Sequence, residues 1–277
     1  MLEGPFGSLG DWPHIDLVAG DGPSMEFMKV HHQGETRWVL SEGAGLFWLD
    51  GHPFGEWTRA AEVSSLAGIR FLPPCEPTKI VAVGVNYASH AEEMDSELPE
   101  EPVLFLKPPS SIVGHRESII YPVKFSHRVE YEGELALVIG RRGRCVSQGQ
   151  ACEHILGYTC ANDVTARDLQ RLDRQWTRAK GFDTFCPLGP VVSTSANPSH
   201  LLVRTRVNGE VRQEASTGEM IFPVEALVSY ISQVMTLEPG DVVLTGTPTG
   251  VGRLEPGDMV EVEIEDIGTL TNSVVKA

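Results

Sequence analysis

Apolar positions in this chain come in short alternating or continuous runs broken by glycine and proline, a pattern of many brief strands and few helices. Met28-Lys29-Val30, Thr36 to Leu40 and Leu46 to Leu49 read as short strands parted by glycine turns, and Pro73-Pro74 closes this opening region. Residues 1–27 are rich in glycine, proline and aspartate and predict an irregular leader. Lys79 to Val85, rich in β-branched side chains, predicts a buried strand. A loop and short helix are expected over Asn86 to Glu93, followed by a polar, mobile surface segment from Asp95 to Pro102. Val129 to Ile139 alternates and then becomes wholly apolar, the signature of a strand. Val164 to Trp176 has helical spacing with Asp163 placed to cap it, and Pro223 to Met235 predicts a helix with proline near its first turn. Val203 to Val207 followed by Asn208-Gly209 predicts a hairpin. Pro239-Gly240-Asp241 and Pro256-Gly257-Asp258 each predict a turn feeding a strand. The expected division is a leader and small β-rich N-terminal domain over residues 1–74 and a main domain over residues 75–277.

The net charge of −16 argues against nucleic-acid backbones and anionic membrane surfaces as partners. It also repels small anions, so a pocket for an acid needs a metal or local arginine and lysine. No run reaches the length of a membrane span, and no basic region followed by an apolar stretch opens the chain, which predicts a cytoplasmic protein. Cys75, Cys145, Cys152, Cys160 and Cys186 form no Cys-x-x-Cys pair, so reduced thiols are expected and zinc is not.

Carboxylates carry the candidate chemistry. Period-two geometry puts Glu132 and Glu134 on one strand face, with Leu135 and Leu137 on the other. Two like charges about 5 Å apart repel by roughly 3 kcal/mol at an effective dielectric near 20. A strand tolerates them when water is plentiful, when one is protonated, or when a cation lies between them. With Asp163 they compose a hard, all-oxygen site of the kind Mg²⁺ or Mn²⁺ takes, and Ca²⁺ can take in crystals. A solvated strand face competes with this reading, as Glu261, Glu263 and Glu265 show the same alternation, and alternation does not choose two among Glu130, Glu132 and Glu134. Asp163, Arg167 and Gln170 fall on one helical face, where Arg167 can meet a substrate carboxylate, whereas Asp168 points elsewhere. His90 and Glu93, at i and i+3, can form an oriented general base, with Glu92 a rival for the carboxylate. Lys180 can stabilise an oxyanion, with Lys107 and Arg178 as rivals. The glycine-rich run Thr245 to Gly252 offers amides and hydroxyls to an anion. No Gly-x-Ser-x-Gly and no dinucleotide fingerprint is present.

Taken in order, Val83 to His90, Phe105 to Ser110, Tyr131 to Leu135, Asn162 to Gln170, Ala179 to Asp183 and Leu244 to Pro248 resemble the fumarylacetoacetate hydrolase family, on its branch of 2-hydroxyhepta-2,4-diene-1,7-dioate isomerases and acylpyruvate hydrolases. The resemblance implies a mixed, mostly β fold: a β-sandwich roll with short helices and a small β-rich N-terminal domain, usually dimeric. It implies Glu132, Glu134 and Asp163 as ligands of Mg²⁺ or Mn²⁺, His90 and Glu93 as a base dyad, and Lys180 as an active-site lysine. Arg167, Gln170 and Thr247 are implied near the substrate, with Glu130 a bystander. Thr249 departs from the residues usual at its position. The implied activity is hydrolysis of a carbon–carbon bond in 2-oxo or enol dicarboxylic or acylpyruvate-type acids of aromatic catabolism. Isomerisation or decarboxylation of hydroxymuconate-type acids or oxaloacetate is the alternative, and a non-catalytic metal-binding protein on the same fold is the rival outside the enzymes.

Overall fold

A computed structural model describes residues 25–63, 68–95 and 97–277. Its spine is a 12-stranded sheet. Ten of those strands run in the spatial order Trp57–Glu62, Gly45–Gly51, Glu35–Glu42, Met25–His32, Cys186–Ser193, Ile155–Asn162, Gly133–Ile139, Val242–Leu244, Ile80–Gly84 and Val103–Lys107. A five-stranded sheet is ordered Glu210–Ser216, Leu202–Val207, Met259–Ile264, Gly268–Lys276 and Ser118–Tyr121, and Thr165–Ala166, Val129–Tyr131 and Gly252–Leu254 form a third, small sheet. The expected mixed, mostly β architecture is what the chain adopts. Among the described residues the α-helices are short: α1 (Ala88–Glu93), α2 (Arg167–Leu172), α3 (Thr177–Lys180) and α4 (Val224–Val234). No helix among these residues is long and apolar enough to cross a membrane.

The strand Gly133–Ile139 is buried along its whole length, which its continuous Leu-Ala-Leu-Val-Ile run requires. Leu135, Leu137 and Ile139 pack in one core with Val203, Val262 and Leu270 of the second sheet and with Leu227 and Ile231 of α4. Ala136 and Val138 face a second core holding Ile80, Val242 and Leu188. Gly133 lets the two sheets close up: a Cβ there would lie 2.0 Å from the Thr205 hydroxyl oxygen.

The Leu202–Val207 and Glu210–Ser216 hairpin turns through Asn208 and Gly209, both at positive φ, as their sequence predicts. The two Pro-Gly-Asp turns share one device. Asp241 accepts from the Glu238 amide at 2.8 Å and Asp258 from the Glu255 amide at 2.7 Å, each closing a turn ahead of a strand.

Two expectations need correction. Residues 25–27 are no part of an irregular leader: they open the strand Met25–His32, with Phe27 buried, and residues 1–24 lie outside the described residues. That strand joins the main sheet through Glu26 opposite Ser193 and Phe27 opposite Val192. The helix expected over Val164 to Trp176 is instead a two-residue strand followed by α2 and α3, and Ala166, not Asp163, occupies the cap position of α2. Thr165 and Ala166 pair with Glu130 and Val129, so ladder bonds replace the first helical turn and release the Asp163 side chain.

Candidate functional site

Strand register brings the acidic residues together. Gly133–Ile139 and Ile155–Asn162 run antiparallel with Gly133 opposite Asn162, so the next residues outward, Glu132 and Asp163, face each other, and the Asp163 amide donates to the Glu132 carbonyl at 2.8 Å. Asn162 Oδ1 accepts from the Glu132 amide at 3.0 Å, fixing the bend between the two strands. Glu134 follows on the same strand face as Glu132. One carboxylate oxygen from each of Glu132, Glu134 and Asp163 lies within 4.8 Å of the others, and all three residues are buried.

Buried cations interleave with them. Lys180 Nζ donates to Glu132 Oε2 at 2.7 Å and to Asp163 Oδ2 at 2.6 Å. Lys107 Nζ donates to Asp163 Oδ1 and to the Lys180 carbonyl, both at 2.6 Å. Arg167 donates through Nε to Glu130 Oε2 at 2.6 Å, through Nη2 to Glu132 and through Nη1 to Gln170. Burial disfavours ionised Glu132, yet Lys180 and Arg167 hold its carboxyl far below the usual range. Burial likewise works against charged Lys180, but Asp163 and Glu132 raise its pKa above the ordinary value. Glu134 goes the other way: burial first, then the charges of Asp163 and Glu132, push it well above the normal carboxylate range. It accepts a 2.7 Å hydrogen bond from the Gly246 amide, where φ is positive and a Cβ would crowd Asn86.

Four buried carboxylates, Glu130, Glu132, Glu134 and Asp163, thus face three buried cations, Lys107, Arg167 and Lys180. Of the four, Glu134 has no ion-pair partner among the described residues, whereas the others are each paired. Three hard carboxylate donors converging on one point, one of them without a cationic partner, fit a divalent cation of the oxygen-seeking kind.

Above the acids lies a cavity of about 240 Å³. Its lining includes Glu132, Glu134, Asp163, Arg167, Gln170, Lys180, His90 and Thr247, with Val83, Val85, Met94, Phe105 and Trp176 as apolar wall. His90, buried on α1, pairs through Nδ1 with Glu93 Oε2 at 3.0 Å, and Glu93 Oε1 accepts from the Gly250 amide at 3.0 Å. The carboxylate is therefore anchored from behind, leaving the other ring nitrogen for chemistry. Phe105 and Trp176 meet edge to face, with the Lys180 ammonium 5.1 Å from the Phe105 ring centre.

All nine residues singled out from the sequence gather around this cavity, except that Glu93 acts from behind His90. The Thr247 hydroxyl is engaged, donating to the Gly133 carbonyl at 2.9 Å and taking a bond from Gln213 at 2.8 Å. The amides expected to cradle an anion do so, but for the protein's own Glu134 and Glu93. Of the rivals, Glu92 is exposed and Arg178 forms a surface pair with Asp173, whereas Lys107 belongs to the buried cluster beside Lys180. Asp168 anchors Ser126 and the His127 amide, away from the acids.

Glu130 is not a bystander. Buried, it accepts from Arg167 and from Arg128 at 2.6 Å each and so fixes the Arg167 guanidinium. Two further features had no sequence signal beyond their place in the motifs. Val85, a β-branched residue, sits at φ +56° in the cavity wall, a strained conformation. It is pinned by Asn86, which bonds the Phe222 carbonyl and amide and the Thr245 carbonyl.

The family model described as "Fumarylacetoacetate (FAA) hydrolase C-terminal" matches residues 79–275, and one described as "Rv2993c-like, N-terminal" matches residues 25–74. A mitochondrial oxaloacetate tautomerase, FAHD2A, from Bos taurus is 46% identical over 287 residues, covering 95% of this chain and 88% of that protein. The crystal structure of 2-hydroxyhepta-2,4-diene-1,7-dioate isomerase from Mycobacterium marinum is 46% identical with a TM-score of 0.84, over 91% of this chain and 99% of the other. That of fumarylpyruvate hydrolase from Pseudomonas aeruginosa, in complex with Mn²⁺ and pyruvate, is 35% identical with a TM-score of 0.69, over 75% of this chain and 92% of the other. Fold and sequence agree, and the chain belongs to the fumarylacetoacetate hydrolase family.

Proposed function

We propose that the protein is a divalent-metal-dependent tautomerase or isomerase of 2-oxo and enol dicarboxylic acids. The observation that carries this reading is the convergence of Glu132, Glu134 and Asp163 beneath a cavity whose wall presents the His90–Glu93 pair. Tautomerase and isomerase activities in the names of relatives 46% identical support it over carbon–carbon hydrolysis, the reaction first expected. Hydrolysis stays as the second reading because the fumarylpyruvate hydrolase shares the fold at lower identity.

Glu132, Glu134 and Asp163 would hold the cation, Mg²⁺ or Mn²⁺. Bound there, such an ion supplies Lewis-acid stabilisation of the negative oxygen of an enolate. His90, oriented through Nδ1 by Glu93, takes a proton from the carbon beside the substrate carbonyl and delivers it to oxygen or to the far carbon of the conjugated system. Lys180 and Arg167 face the cavity with charges already fixed by Glu132, Asp163 and Glu130, so they favour developing negative charge without reorganising. Phe105, Trp176 and Met94 keep water from the reacting carbons, which suits proton transfer and disfavours hydrolysis.

The test is a panel assay with oxaloacetate, acylpyruvates and hydroxymuconate-type acids, with and without Mg²⁺ or Mn²⁺. Cation-dependent enol–keto conversion without release of pyruvate is expected. Stoichiometric pyruvate release from an acylpyruvate would establish the hydrolase instead, and no turnover of any of these acids would remove the enzymatic reading.

A further inference from the structure

Arg171 lines the cavity mouth and is exposed, one helical turn beyond Arg167 on α2. The two guanidiniums differ in what they have left to offer. Three nitrogens of Arg167 already donate to Glu130, Glu132 and Gln170. The other cation of the lining, Lys180, bridges Glu132 and Asp163. Arg171 has no hydrogen-bond or ion-pair partner among the described residues. Residues at i and i+4 on a helix share a face with their Cβ atoms about 6 Å apart, so Arg171 looks into the same space from farther out. The same cavity has an apolar wall, through Val85, Met94, Phe105 and Trp176. The lining thus combines buried acids, an apolar wall and an exposed, unengaged cation.

We propose that Arg171 is a specificity-determining residue that binds the distal carboxylate of a dicarboxylic 2-oxo or enol acid whose oxo-acid head lies over Glu132, Glu134 and Asp163. The inference rests on the function proposed above and extends it to the far end of the substrate. That combination favours a ligand with an oxygen-rich head, a carbon segment and a terminal anion over a monocarboxylic acid with an apolar tail. A guanidinium offers a planar fork that matches a carboxylate with two parallel bonds. In a protein of net charge −16, an unpaired arginine at the entrance also offsets repulsion of an incoming dianion.

Two acids with the same head and chain length separate this role from the head-group site: 2-oxoglutarate carries a distal carboxylate and 2-oxopentanoate a methyl group. Binding of each to the Mn²⁺-loaded protein is measured by calorimetry for wild type, Arg171→Gln, Arg171→Lys and Arg174→Gln, the last a nearby exposed control. Wild type should prefer 2-oxoglutarate about tenfold, the scale of one charge-assisted contact. Arg171→Gln should erase that preference by weakening 2-oxoglutarate alone, Arg171→Lys should restore part of it, and Arg174→Gln should keep it. Equal affinity of the wild type for both acids, parallel weakening of both in Arg171→Gln, or the same loss in Arg174→Gln would overturn the assignment while leaving the proposed function standing. Failure of the wild type to bind either acid would remove both.

Discussion

Glu26 gives the most quantitative handle on how the N-terminal strands hold to the rest of the molecule. It lies buried where Met25–His32 meets Cys186–Ser193, opposite Ser193 on one side and Ser41 on the other. Its Oε2 has no hydrogen-bond partner among the described residues. Burial pushes its carboxyl from an ordinary 4.5 up to about 7, against a smaller opposing effect of the Ser41 hydrogen bond. Between these two values the folded chain holds a proton that the unfolded chain has lost. Stability therefore falls as pH rises from 4.5 to about 7 and stays low above it. At about 1.36 kcal/mol per pH unit, the full loss is about 3 kcal/mol. Glu26→Gln keeps the shape and removes the titration. Urea unfolding of both proteins at a series of pH values isolates the effect, because every other group cancels in the difference. The variant should gain about 3 kcal/mol relative to wild type between pH 4.5 and pH 8, with nearly all of it by pH 7. A difference that stays constant across this range would refute the reasoning.

Other perturbations reach the cavity. Glu130→Gln removes the charge that Arg167 and Arg128 share and should cost about 3 kcal/mol of stability by urea unfolding, the usual penalty for half of a buried ion pair; a loss below about 1 kcal/mol would mean that Arg167 is held without it. His90→Gln should lower turnover of an enolisable 2-oxo diacid by about 10²- to 10⁴-fold. The same variant should titrate with Mn²⁺ as the wild type does, and unchanged turnover would take His90 out of the proton transfer.

Much of the site is legible in the sequence because its chemistry is written in short-range spacing. Two glutamates interrupting an otherwise apolar strand stand out, and period two puts them on one face without any knowledge of the fold. Asp163 joins them through a ladder register that alternation alone does not give. The division of labour among three alternating glutamates was not readable. Glu130, Glu132 and Glu134 are all buried, and only their partners distinguish them: Arg167 with Arg128 for Glu130, Arg167 with Lys180 for Glu132, and the Gly246 amide for Glu134. The residues alone do not choose between Lys107 and Lys180, for a related reason: the fold uses both, on opposite oxygens of Asp163. Helical spacing over Val164 to Trp176 misleads because Thr165 and Ala166 find ladder partners in a distant strand, and tertiary pairing outweighs weak helix propensity. The start of the first strand was hidden similarly, since Glu26 and Phe27 are paired with residues more than 160 positions away.

Metal titration of wild type and Glu134→Gln tests the central claim most directly. Glu134 is the carboxylate of the cluster without an ion-pair partner among the described residues, and glutamine keeps its shape. The wild type should bind one Mn²⁺ per chain, seen by calorimetry or by the loss of the free-ion electron paramagnetic resonance signal, and the variant should bind it at least tenfold more weakly while unfolding cooperatively. Equal Mn²⁺ affinity in both proteins, or full turnover by wild type after exhaustive chelation, would contradict the account.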